Sequence, residues 1–153
     1  EQFLGKKILI YQEDTLVFKK LDNIFLKYDF IGAPYYNKNI GNGGLSLRSK
    51  DIMIYICEKY FNSKRKRFKQ ISNFIKHQKK NKLNYNYLLE KSILEDLQIT
   101  DIMRRYNIGK LPDFKLGKKF SIEKYFDDDS FGGHQFWYCV KDIKLFLENK
   151  LNY

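Results

Sequence analysis

Three glycines in four positions, Gly41-Asn42-Gly43-Gly44, are the first place where this chain could do chemistry. Glycine serves where the backbone takes a positive φ or where another group must come close to the main chain. The cluster therefore has two readings: a pocket wall presenting backbone N–H groups to a ligand, or a tight turn with a bulge. Titratable side chains are the second resource. Glu13 and Asp14 follow an apolar run. Open α/β sheets bind ligands outside the carboxyl ends of their strands, and a carboxylate there can hold a divalent cation through hard oxygen ligands. The competing reading is a solvated turn. His134 follows Gly132-Gly133; an imidazole can ligate a metal or donate a hydrogen bond, or it can be a structural side chain. Glu95-Asp96 lie inside a helical pattern, where an acidic pair is ordinarily a solvated face. Asp127-Asp128-Asp129 reads as a solvated turn. His77 has no Cys or His partner at ligand spacing, so no metal is assigned to it.

The elements that would position these groups follow from hydrophobic periodicity. Ile8-Leu9-Ile10-Tyr11 is a continuous apolar run, as in a strand buried on both faces. Residues 15–18 can form a second strand, and 21–27 a short helix. Residues 28–31 read as a strand that ends in the Gly32-Ala33-Pro34 turn. Leu45 to Arg48 alternate apolar and polar, as a half-buried strand does. Ser49 is a suitable N-cap and Asp51 falls in the first turn of the helix that follows. Ile52, Ile56 and Tyr60 form its core-facing stripe, with Met53 and Cys57 beside it. Residues 87–106 read as helical in pieces. Residues 111–123 read as a turn, a short helix with Pro112 in its first turn, and a strand. Residues 140–151 close the chain as a helix with Ile143, Phe146, Leu147 and Leu151 on one face.

The chain has 153 residues, enough for one domain with a sizeable core, and 43% of them are hydrophobic. A formal net charge of +11 favours anionic partners without choosing among them. Much of that charge sits in residues 62–86, a basic insertion with no acids. Phe68, Ile71 and Ile75 recur there at helical spacing, which predicts a basic amphipathic helix. A solvated surface is the first reading of it, peripheral contact with an anionic membrane surface the second. Nucleic acid ranks third, because the aromatic residues match no known binding module. Cys57 and Cys139 are read as free buried thiols. No run of 18 apolar residues exists, so no transmembrane segment is expected. No signal-peptide pattern is visible, and a cytoplasmic location is favoured.

Gly32-Ala33-Pro34 and the stretch GNGGLSLRSK at 41–50 resemble the glycosyltransferase-like DUF5672 family, whose pattern runs YD-x-[IV]-GAP-W … NGGFSLRS. Tyr35 stands where Trp is usual, and Leu45 where Phe is usual. Further blocks follow in order. LIYQEDT at 9–15 matches the family's LIFQTDS, and LEDLQIT at 94–100 matches EDV-x-[FI]-[ST]. FSIE at 120–123 matches A-x-x-F-S-[VI]-E, with Gly117 in place of Ala, read as packing only. FGGH at 131–134 is similar to FG-x-H-x-W.

The resemblance implies an α/β fold with a mixed sheet flanked by helices, of the GT-A glycosyltransferase type. It implies transfer of a sugar from a nucleotide-sugar donor to the hydroxyl of an unknown acceptor. Asp14 would stand at the metal-binding Asp-x-Asp of such enzymes, whose first Asp is replaced by Gln12. Asp14 and His134 would then meet the diphosphate and a divalent cation, Mn2+ or Mg2+. Asn42, Gly43, Gly44, Arg48 and Trp137 would line the donor or acceptor pocket. Asp96 would be the general base, with Glu95 as the alternative base or an acceptor ligand. A GT-A domain normally opens with nucleotide-binding βαβ units upstream of the Asp-x-Asp strand. The chain begins near that strand, so residues 1–153 are expected to form a single domain lacking those first units. The other hypothesis is a non-catalytic remnant, a basic module for an anionic polymer or membrane surface.

Overall fold

The computed structural model describes residues 5–36, 39–61 and 94–151. The basic segment at 62–86, with its expected amphipathic helix, lies outside the described residues. Before it come β1 (Lys7–Tyr11), β2 (Thr15–Val17), a 3-10 turn (Asn23–Lys27), β3 (Phe30–Gly32), β4 (Leu45–Ser49) and α1 (Lys50–Ile56). After it come α2 (Glu95–Tyr106), α3 (Phe114–Phe120), β5 (Ser121–Ile122), β6 (Gly132–His134), a 3-10 turn (Phe136–Tyr138) and α4 (Ile143–Leu151). The protein is mixed α/β. Its described strands form two small sheets, where a single mixed sheet was expected. One is antiparallel, in the order β1-β4-β3; the other runs β2-β6-β5, with β6 antiparallel to β2 and parallel to β5.

The fold is built on β4. All five of its residues are buried, although their alternation predicts burial of one face only. Leu45 and Leu47 enter a cluster with Phe25, Ile31, Phe120 and Phe131. On the other face, Phe30 packs against Ile56 of α1 and Ile99, Ile102 and Met103 of α2. Helical elements therefore cover both faces of this sheet, and Ser46 and Arg48 are buried as polar residues. Such residues need internal partners, and those partners make the site described below. The strand expected to be buried on both faces, β1, is instead at the sheet edge: Leu9 is 38% and Tyr11 68% exposed. An apolar run marks a strand but does not say which strands flank it.

Local signals place the helix ends. Asp113 caps α3, its Oδ1 accepting from the Leu116 N–H at 2.8 Å, so the helix begins after Pro112 rather than around it. Helix α2 ends at Asn107, whose left-handed backbone (φ 51°) returns its N–H to the Met103 carbonyl, as Asn and Gly do at helix C-termini. Ser49 occupies the N-cap position of α1, but its hydroxyl donates to Asp29 Oδ1 at 2.5 Å and caps nothing. The stripe of α1 is as periodicity predicts: Ile52, Met53, Ile56 and Tyr60 join one cluster. A third cluster, Phe18, Ile122, Phe136 and Phe146, ties α4 to the second sheet. Of the two free thiols, Cys57 is exposed, contrary to expectation, and Cys139 is half-buried. No helix among the described residues is long and apolar enough to cross a membrane.

Candidate functional site

The glycine loop joins β3 to β4, and the N–H groups of residues 41–44 are all committed within the chain. The Gly41 and Asn42 N–H groups donate to the Ala33 carbonyl at 3.4 and 3.1 Å. The Gly43 N–H donates to Asp96 Oδ2 at 2.7 Å, and the Gly44 N–H to Asn42 Oδ1 at 2.8 Å. Presentation of these N–H groups to a ligand is therefore not what the glycines do. They let side chains reach the backbone. A Cβ on Gly43 would come 2.8 Å from Arg48 Nη2 and 3.0 Å from Asp96 Oδ2. A Cβ on Gly44 would come 2.3 Å from the imidazole ring of His134. Two consecutive residues thus hold two groups of polar side chains.

The first group centres on Asp96, in the first turn of α2. Its position on a helix predicts a solvated carboxylate, yet it is buried. Oδ2 accepts from the Tyr35 hydroxyl and the Gly43 N–H, both at 2.7 Å, and Oδ1 accepts from the Leu97 N–H at 2.7 Å. Beside it, the buried Arg48 guanidinium makes a two-pronged pair with Glu95, both contacts 3.0 Å. Arg48 Nε donates to Ser46 Oγ at 3.0 Å, and the guanidinium lies over the Phe30 ring at 4.7 Å. A bidentate arginine fixes a carboxylate in direction as well as in distance. Glu95 remains largely open to solvent on its outer side.

Burial pushes the Tyr35 phenol above its ordinary value of 10.0, and the hydrogen bond to Asp96 and the charge of that carboxylate push it the same way. A phenol that holds its proton more tightly when folded stabilises the fold fully below the unfolded pKa, and that contribution is lost as pH rises above it. Urea unfolding should therefore show wild-type stability falling faster above pH 10 than in Tyr35→Phe. At neutral pH, Tyr35→Phe should cost about 1–2 kcal/mol for its hydrogen bond. Parallel pH dependences of the two proteins would show that Tyr35 is not held this way.

The second group centres on His134 at the end of β6. Nδ1 lies 3.2 Å from Glu123 Oε2, and Nε2 lies 3.2 Å from Asp14 Oδ1. The latter pair is close but not aligned as a hydrogen bond, so two buried polar atoms, Asp14 Oδ1 and His134 Nε2, lack hydrogen-bond partners. The other Asp14 oxygen accepts from Gln135 Nε2 at 3.0 Å. That bond holds the Asp14 carboxyl below its ordinary 3.8 despite desolvation, and the neighbouring His134 acts in the same direction.

Tertiary packing thus brings Asn42, Gly43, Gly44, Arg48, Glu95 and Asp96 together, and sets Asp14 and His134 on the far side of Gly44. The Trp137 ring packs on Phe136 and Tyr138 and is 38% exposed. Sequence reasoning missed Tyr35, Glu123 and Gln135. Tyr35 follows the Gly-Ala-Pro turn, Glu123 ends the FSIE block, and Gln135 is one of only two non-glycine residues with positive φ among the described residues. Among those residues, no group of three or more His, Cys, Asp or Glu side chains is arranged to hold a metal ion. Asp14 Oδ1 and His134 Nε2 are the two unpartnered atoms that could contact one. Their 3.2 Å separation is near the ~3 Å between adjacent ligands of an octahedral ion with bonds of about 2.1 Å, and a carboxylate on the far ring nitrogen is the usual support of a ligating histidine.

Fold and site together define a mixed α/β protein that gathers acids, an arginine and a histidine around one glycine loop. The chain belongs to the family described as Protein of unknown function (DUF5672), whose model matches residues 1–134. The match takes in every residue of the two groups except Gln135. No curated protein and no solved structure matches the chain.

Proposed function

We propose that this protein is a glycosyltransferase of the GT-A type, moving a sugar from a nucleotide-sugar to an acceptor hydroxyl. One observation carries the reading: Gly43 and Gly44 hold a buried carboxylate–arginine group and a buried imidazole–carboxylate group back to back. Glycosyl transfer needs both kinds of group, one to take the acceptor's proton and one to meet the charge of the departing diphosphate. Asp96 is the base in this reading. Oδ2 already accepts two bonds, but Oδ1 accepts only one and keeps a second lone pair for an acceptor hydroxyl. Arg48 orients Glu95 at the solvent side, where Glu95 meets the acceptor. Asp14 and His134 would hold a divalent cation, Mn2+ or Mg2+. When bound, such an ion neutralises diphosphate charge. Glu123 holds the imidazole so that Nε2 faces Asp14.

Calorimetric titration of the purified chain with UDP-, GDP- and other nucleotide-sugars, with and without manganese, tests this. Metal-dependent binding of one donor, lost in Asp14→Ala, is the expected result. A folded chain that binds no donor under either condition would overturn it. A second reading, a non-catalytic module that binds an anionic polymer or membrane surface, is favoured by the internal bonds on both oxygens of Glu95 and of Asp96. That module would bind in a strongly salt-dependent way and ignore nucleotide-sugars.

A further inference from the structure

We infer that Tyr36, Lys124 and Tyr138 form a saccharide-binding platform beside the site, so that the acceptor is itself a carbohydrate. The word acceptor rests on the glycosyl-transfer reading; the platform rests on its own observations. Tyr36 is 76% and Tyr138 73% exposed, more than any other large hydrophobic side chain among the described residues. They come from remote segments yet converge on one cation. The Lys124 ammonium lies 5.6 Å from the Tyr36 ring centroid and 5.7 Å from that of Tyr138.

The arrangement is tied to the site through consecutive residues. Glu123 meets His134 through Oε2, and its Oε1 lies 3.6 Å from Lys124 Nζ. The next residue, Tyr125, donates its hydroxyl to the Tyr36 carbonyl at 2.9 Å and packs edge-on against Phe114 at 4.9 Å. Tyr36 directly follows Tyr35, which holds Asp96. Tyr138 ends the 3-10 turn that opens two residues after His134. Both rings are therefore anchored, by backbone or by sequence, to residues of the two groups.

The chemistry of the platform matches a sugar ring. A pyranose has an apolar C–H face and a rim of hydroxyls. Tyrosine offers an apolar face with a polar tip, and it orders at low entropic cost because it has few torsions. The Lys124 ammonium and the two phenols supply donors and acceptors for the rim. A lipid or an apolar peptide would call for aliphatic side chains, whereas Lys124 and Glu123 lie between the rings and the site. Nucleic-acid bases also stack on tyrosine, so an oligonucleotide belongs in the test.

The full chain is titrated with a panel of neutral and acidic oligosaccharides, with a mixed-sequence single-stranded oligonucleotide, and separately with nucleotide-sugars. Trp137, the single tryptophan, lies 6.0 Å from the Tyr138 ring and provides a fluorescence signal. At least one oligosaccharide should bind. Tyr36→Ala and Tyr138→Ala should each weaken it about tenfold, with circular dichroism and nucleotide-sugar titration unchanged. Saccharide binding that survives the double variant would overturn the platform. So would binding of the oligonucleotide through these tyrosines, or a panel without a single ligand. Tyrosine-dependent saccharide binding by a chain that takes no nucleotide-sugar would uphold the platform and remove the glycosyl-transfer reading alone.

Discussion

Asp96→Ala should destabilise the protein by about 3–5 kcal/mol, a loss expected when a buried carboxylate is taken from its partners. The carboxylate accepts from the Tyr35 hydroxyl and from the Gly43 and Leu97 N–H groups. Alanine strands all three, and the bond from the Gly43 N–H is a buried one. With a urea m-value of about 2 kcal/mol/M, the midpoint should fall by roughly 2 M. A fall below about 0.5 M would show that the loop does not depend on Asp96. Asp96→Asn separates structure from chemistry. The amide oxygen can accept from Tyr35 and Gly43 together, so the fold survives with a smaller loss. If the proposed glycosyl transfer is the activity, it should then disappear while donor titration stays near wild type. Unchanged turnover by the folded Asn variant would remove Asp96 as the base.

The second large effect belongs to Gly44. A methyl group there would sit 2.3 Å from imidazole Cγ and Nδ1 and 2.4 Å from Cε1. The ring cannot yield easily, because Glu123 and Asp14 flank its two nitrogens. Gly44→Ala should therefore cost about 2–3 kcal/mol by overpacking and displace the imidazole from both carboxylates. In a His134→Ala background the methyl enters space the ring has left. The same change should then cost little, giving a coupling of about 2 kcal/mol in a double-mutant cycle. Additive effects, within about 0.5 kcal/mol, would mean that the loop does not rest on the histidine.

Both predictions concern contacts between residues far apart in sequence, and the boundary of what was legible lies there. Short-range signals were readable. The stripe begun by Ile52 and Ile56 marked α1, and residues 111–123 read as a turn, a short helix and a strand, although Phe120, expected beside Ile122 on one face of that strand, closes α3 and Ser121 and Glu123 are buried too. The glycine cluster was recognisable as special, because three glycines in four positions exceed what a turn needs. Its purpose was not: the glycines admit Asp96, Arg48 and His134, and the sequence around the loop names neither Asp96 nor His134. The acidic pair shows the same limit. Glu95 and Asp96 are adjacent and chemically alike, yet Glu95 is largely exposed and Asp96 is buried.

The sequence by itself determined the local grammar of this protein: which segments are strands or helices, where several of them begin and end, and which loop is out of the ordinary. Periodicity and backbone preference act over a few residues, so they can be read from a few residues. The tertiary structure decided that β4 is central and β1 an edge, that the strands divide into two sheets, and that Tyr35, Glu123 and Gln135 belong with the residues first singled out. Burial and hydrogen-bond partnership depend on what arrives from elsewhere in the chain, as Gln135 does at Asp14 and Asp96 at Gly43. A residue's type sets which bonds it can make, and the packing of distant segments sets which it does make.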